Sequence, residues 1–175
     1  MSVRVVPYDP NWPSAFADEA VRLADAMGEV AEAVHHIGST SIPGIFAKPI
    51  IDILVEASDL ALVDQLQEAM ELIGYEALGE FGIPGRRYFR RTAPDGTRTH
   101  HLHVFERGSD GAVRHLVFRD YLIAHPEFAH RYSDLKRELA KAHPDDMELY
   151  MDGKDEFIKA KQRAALEWSP KRLID

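Results

Sequence analysis

After Pro13, apolar residues recur at threes and fours: Phe16, Ala20, Leu23, Ala24, Met27, Val30, Ala31 and Val34. That period predicts an amphipathic helix running to about Ala33, and Ser14 with Pro13 suits its start. The pattern then shortens to a brief strand over 34–37, ended by the turn-rich run Gly38-Ser39-Thr40-Ser41-Ile42-Pro43-Gly44. Residues 49–55 are apolar and β-branched, as a buried strand requires. Ser58 or Asp59 suits the cap of a following helix, whose Leu60, Val63, Leu66, Met70 and Ile73 share one face until Gly74 stops it. Strands are expected over 75–81, 88–92 and 97–105, the last two joined by the turn Ala93-Pro94-Asp95-Gly96. From about His115 the pattern turns helical, with breaks expected near Pro126, Pro144 and Gly153 and a last helix ending near Trp168. Trp12 and Trp168 are expected to anchor the two chain ends in the core. Strands first and helices last predict an α+β fold with α/β-like character: a mixed sheet flanked by helices, with a helical C-terminal third.

The 175 residues contain no internal repeat and no linker rich in Gly, Pro or Ser, so a single domain over 1–175 is expected. No apolar run approaches the roughly 18 residues of a membrane helix, and the opening MSVRVVPYDP lacks a leader's apolar core. The expectation is a cytoplasmic protein with no membrane partner. The absence of cysteine excludes disulfide scaffolds, thiolate metal sites and cysteine nucleophiles. A net charge of −8, from 21 Lys and Arg against 29 Asp and Glu, gives an average field that repels phosphate. Nucleic acid is therefore an unlikely partner, whatever a local patch can do.

Three constellations carry candidate chemistry. First, glycine and hydroxyl residues after a strand, Gly38-Ser39-Thr40-Ser41, can turn backbone N–H groups toward an anion. Asp52 then sits in an otherwise apolar strand, where a carboxylate must be paired, metal-bound or at an exposed strand end. A plain tight loop with a turn-capping Asp52 is the competing reading. Second, period two places His101 and His103 on one strand face with Thr99 and Phe105, while His100, Leu102 and Val104 face the other way. Two imidazoles so spaced can share a metal with Asp52, or form a hydrogen-bonded polar rim. Third, Arg86, Arg87, Arg90, Arg91 and Arg98 face a single Asp95 between 86 and 98. Their guanidinium groups suit phosphate oxygens. Alternation splits them into Arg86, Arg90 and Arg98 against Arg87 and Arg91, and a charged edge strand accounts for some of them. Asp152-Gly153 reads as a turn that could bring Lys154 to a phosphate, or as a solvated helix cap.

The runs from His36 to Gly44, Lys48 to Ile53, Gly82 to Arg86, His101 to Val104 and Tyr150 to Lys154, in this order, resemble the GrpB-like family, and the resemblance extends from Val6 to the final helix. It implies a nucleotidyltransferase-like fold and, because some members occur fused to dephospho-coenzyme A kinase, a link to coenzyme A biosynthesis. The superfamily pattern has Gly-Ser on a loop and two alternating carboxylates on the next strand. Gly38, Ser39 and Asp52 match it, whereas Leu54 stands where the second carboxylate belongs. Glu56 has the right parity but lies about 13 Å along an extended strand. What the resemblance implies is a metal-dependent nucleotidyltransferase acting on a nucleoside triphosphate and an unidentified acceptor. Asp52 would be catalytic. It would hold a divalent ion (Mg, Mn or Zn) with His101 and His103. The phosphate-binding set would be Gly38, Ser39, Thr40, Ser41, Lys48, Arg86 and Lys154. Without the second carboxylate, a non-catalytic module binding a nucleotide or phosphometabolite on the same fold is the alternative.

Overall fold

Ile51, Ile53, Val55 and Ala57 alternate along one strand and are all buried on one side of the sheet. Their even neighbours Asp52, Leu54 and Glu56 look the other way, and that division organises the molecule. The structure is a computed structural model, describing residues 2–169. Five strands, β1 (Ala31–Ile37), β2 (Ile51–Ala57), β3 (Tyr75–Ala77), β4 (Arg86–Thr92) and β5 (Arg98–Glu106), form one sheet in the order β1-β2-β5-β4-β3. The β2–β5 pair is parallel and the others are antiparallel, a mixed sheet as expected.

One face packs against α1 (Trp12–Met27), α2 (Leu60–Asp64) and α3 (Gln67–Leu72) through Leu23, Met27, Val63 and Met70. The opposite face meets α4 (Asp110–Ala124), with Leu54 and Phe105 against Ala112 and Leu116. Helices α5 (Pro126–Ala142) and α6 (Met147–Trp168) pack on α4 around Val117, Tyr121, Leu122, Tyr132 and Ala165. This is the helical C-terminal part the sequence pattern requires. No helix among the described residues is long and apolar enough to cross a membrane.

Several boundaries differ from expectation for local reasons. Helix α1 stops at Met27 because Gly28 takes φ 59°, and a 3-10 turn hands the chain to a full seven-residue β1. The face from Leu60 to Ile73 is divided between α2 and α3, and Asp59 provides the cap by accepting from the Ala61 N–H at 2.8 Å. Strand β3 ends at Ala77; the glycine-rich loop that follows, with Gly79, Gly82 and Gly85 at positive φ, replaces the strand expected to 81. Helix α4 begins at Asp110, ahead of His115, behind its cap Ser109. Gly153 does not break the chain: it lies within α6, where a Cβ would collide with the Leu139 side chain, so its smallness serves the approach of α5. Asp152-Gly153 is accordingly helix, not turn. Trp12 is buried as expected, but Trp168 is 45% exposed and only edges onto Tyr121 and His125.

Candidate functional site

Asp52 and His101 are register partners across the parallel β2–β5 pair, and His103 follows two residues on, on the same face. Asp52 Oδ1 lies 3.3 Å from His101 Nδ1 and 3.7 Å from His103 Nε2. Burial alone would raise the Asp52 carboxyl. The polar contacts of the two imidazoles, and their charge when protonated, outweigh it and hold the group well below the usual carboxylate range. Gly38 ends β1 with φ 72°, and a Cβ there would stand 2.6 Å from Asp52 Oδ2. The glycine expected to admit a bound anion therefore admits the protein's own carboxylate.

The 3-10 turn Ser39–Ser41 continues from Gly38. Ser39 and Thr40 line the cavity above Asp52. The Thr40 hydroxyl also lies 2.9 Å from His36 Nε2, and Ser41 Oγ donates back to the Gly38 carbonyl, so those two hydroxyls shape the turn. His36 itself stacks on Phe16 on the α1 side, where burial brings its imidazole down to about 4 despite the Asp52 charge. His100 also faces that side, near Glu19 and Tyr75, while His35 pairs with Glu56 at 2.7 Å.

The cavity encloses roughly 390 Å³, and its lining brings together all the expected site residues except Ser41. Arg86 is 6% exposed and already committed: Nη1 donates to His103 Nδ1 at 3.3 Å, Nε to the Glu80 carbonyl at 3.2 Å and Nη2 to the Phe81 carbonyl at 3.0 Å. Its guanidinium also rests on the Tyr88 ring. It braces the histidine and the loop ahead of β4. Arg87 and Arg91 turn toward α2 and α1, away from the face of Arg86 and Arg90, as alternation requires. Arg87 pairs with Asp64, Arg90 with Glu76 and Arg91 with Glu19, so these guanidinium groups bind the protein itself.

What the sequence pattern missed is the third lysine. Lys136 of α5 is 1% exposed, and its Nζ has no hydrogen-bond partner. It meets Lys48 and Lys154 across the cavity, with the Tyr132 and Tyr150 rings between them. Burial, then repulsion from Lys154 and Lys48, brings the Lys136 ammonium down to about 6. Burial and Lys48 bring Lys154 down to about 8, and burial also lowers Lys48. The spacing Ala129, Tyr132, Ser133 and Lys136 on the buried face of α5 is the available signal: a lysine within a helix's inward stripe.

A resident metal fits this arrangement poorly. A ligating imidazole ordinarily gives its other N–H to an acceptor, whereas His103 presents its other nitrogen to a guanidinium, which can only donate. Among the described residues, no group of three or more His, Asp or Glu is placed to hold an ion.

Comparison with known proteins supplies the family. The family described as GrpB protein matches residues 2–163. The UPF0157 protein YqkA of Bacillus subtilis (strain 168) is 46% identical over 97% of this chain, which spans only 49% of that protein's length. A protein named dephospho-CoA kinase from Mycolicibacterium paratuberculosis is 30% identical over 95% of this chain and 47% of its own. The chain thus spans about half the length of these two curated relatives. The crystal structure of conserved protein GrpB from Enterococcus faecalis superposes with a TM-score of 0.89 at 46% identity, covering 94% of this chain and 98% of that one. The chain belongs to the GrpB family.

Proposed function

We propose that this GrpB-family chain binds a phosphorylated small molecule of the nucleotide class in the cavity between the sheet and α4–α6. Lys48, Lys136, Lys154 and the Gly38-Ser39-Thr40 turn would face the phosphates. One observation carries the reading: Lys136 Nζ is buried in the cavity wall without an acceptor, beside two further lysines. Burying an unpaired cation next to like charges is unfavourable, and a polyanion relieves both the desolvation and the repulsion. A cavity of roughly 390 Å³ has the scale of a small-molecule site. The relatives named dephospho-CoA kinase support a nucleotide or coenzyme A-related phosphate ester as the ligand class.

Nucleotidyl transfer is the second reading, favoured by Asp52. An ionised carboxylate facing the same cavity as the lysines is where a divalent ion (Mg, Mn or Zn) arriving with a polyphosphate would be met, since such ions take one or two carboxylates and complete their shell on substrate. His101 and His103 would then orient Asp52, and Arg86 would hold His103. Leu54 in place of a second carboxylate weighs toward binding without transfer.

The test is the thermal midpoint of the protein with ATP, dephospho-coenzyme A and tripolyphosphate, each with and without manganese. A ligand of the folded state must raise stability by linkage. A rise without metal that is lost in Lys136→Met supports the binding reading. A rise that needs manganese and disappears in Asp52→Asn moves the assignment to transfer. No rise with any phosphate overturns both.

A further inference from the structure

Phe81 is the one non-glycine residue at positive φ, 49°, among the described residues. For a bulky side chain this backbone is unfavourable, and such strain persists where the surroundings over-determine it. They do so here. The Phe81 carbonyl accepts from Arg86 Nη2 at 3.0 Å, the Glu80 carbonyl accepts from Arg86 Nε at 3.2 Å, and Glu80 Oε2 accepts the Gly85 N–H at 2.7 Å. The side chain so held is not in the core. It is 57% exposed, lies at the cavity wall and stacks on Tyr88 with ring centroids 5.2 Å apart and planes 12° apart. Tyr88 in turn sits 5.5 Å from the His103 ring and under the Arg86 guanidinium at 4.8 Å. The cavity therefore has two distinct walls: lysines resting on the Tyr132 and Tyr150 rings, from α5, α6 and the segment before β2, and the Phe81–Tyr88 pair, which carries no lysine, from β4 and its loop.

A phosphate ligand alone would use only the cationic wall. We propose that Phe81 is the specificity-determining face of the site, stacking against a planar heteroaromatic ring carried by the phosphorylated ligand. This rests on the phosphate-site reading above and narrows it to ligands that join a ring to a phosphate chain. Stacking uses the π-face that every nucleobase has, so the site discriminates a nucleotide from a sugar phosphate or inorganic polyphosphate, and only weakly one base from another. Arg86 ties the aromatic pair to the strand floor of the site, bonding His103 with one nitrogen and the Phe81 carbonyl with another.

Titration of the unmodified protein, Phe81→Gly and Phe81→Trp with ATP, CTP and tripolyphosphate tests this. Glycine suits the positive φ, so Phe81→Gly removes the ring without straining the loop. The expected result is that Phe81→Gly weakens ATP and CTP alike by roughly tenfold and leaves tripolyphosphate unchanged, while Phe81→Trp keeps the preference for the nucleotides. Equal affinity for tripolyphosphate and the nucleotides in the unmodified protein, or an unchanged ratio in Phe81→Gly, overturns the stacking role and spares the phosphate site. Binding of none of the three overturns the phosphate site, and this inference with it.

Discussion

Arg86 sets the tautomer of His103. A guanidinium can only donate, so His103 Nδ1, 3.3 Å from Arg86 Nη1, is the accepting nitrogen, and the proton stands on Nε2 facing Asp52. A β4 arginine thereby fixes which ring nitrogen a β5 histidine turns, protonated, toward a β2 carboxylate 3.7 Å away, three strands held in one orientation.

Arg86→Lys is expected to lose this arrangement, because an ammonium cannot reach His103 and the Glu80 and Phe81 carbonyls at once. Two part-buried carbonyl partnerships and one to an imidazole go with it, so unfolding free energy should fall by about 2 kcal/mol. Nitrogen chemical shifts of the His103 imidazole report the tautomer. An unchanged Nε2–H form in the variant removes Arg86 from that role.

Gly38→Ala and Gly44→Ala form a matched pair. Both glycines have positive φ, 72° and 82°, so each substitution carries a backbone penalty of about 1–3 kcal/mol. Around Gly44 nothing lies within 4 Å, whereas at Gly38 the new methyl meets Asp52 Oδ2 at 2.6 Å. Gly38→Ala should cost about 1 kcal/mol more than its partner from overpacking and weaken any ligand that needs Asp52. Denaturant midpoints of the two variants decide it.

Lys136→Met should stabilise the unliganded protein, by about 1 kcal/mol or 2–4 °C in the midpoint for a chain of this size, while abolishing phosphate-induced stabilisation. The sign follows from burial. With the folded group near 6, well below its ordinary 10.5, the unfolded chain binds a proton that the folded one does not. This lysine therefore makes stability rise with pH between those values. A midpoint-against-pH profile of the variant should lack that slope, and a profile parallel to that of the unmodified protein would show Lys136 protonated and paired.

Anion binding should take up protons. With Lys136 near 6 and Lys154 near 8, a bound anion favours both ammonium forms. Sulfate keeps its charge over this range, so its affinity should fall as pH rises from 6 to 9. Calorimetry in buffers of different ionisation enthalpy should show up to about one proton absorbed per anion near pH 7. No proton uptake would mean that the lysines are already charged in the free site.

Much of the sheet side of the site was determined by the sequence itself. Strand alternation is a local property of the backbone, so parity alone places His101 and His103 on one face of β5, separates Arg86 from Arg87, and marks Asp52 as the polar intruder in β2. The hairpin at Ala93–Gly96 follows equally from turn chemistry. Only the tertiary structure shows what these groups face. Lys136 meets Lys48 because α5 folds back over the sheet across 87 intervening positions, and no local period records that approach. Arg86 has the right parity for a ligand, yet the loop ahead of it bends its carbonyls into the guanidinium's reach. Gly38 is legible as a close-approach glycine, but that the approaching anion is Asp52 depends on the β1–β2 register. Residues near in sequence constrain one another through dihedral angles and side-chain period. The cavity is made by packing between distant elements, where burial and unmet charge become properties of a place.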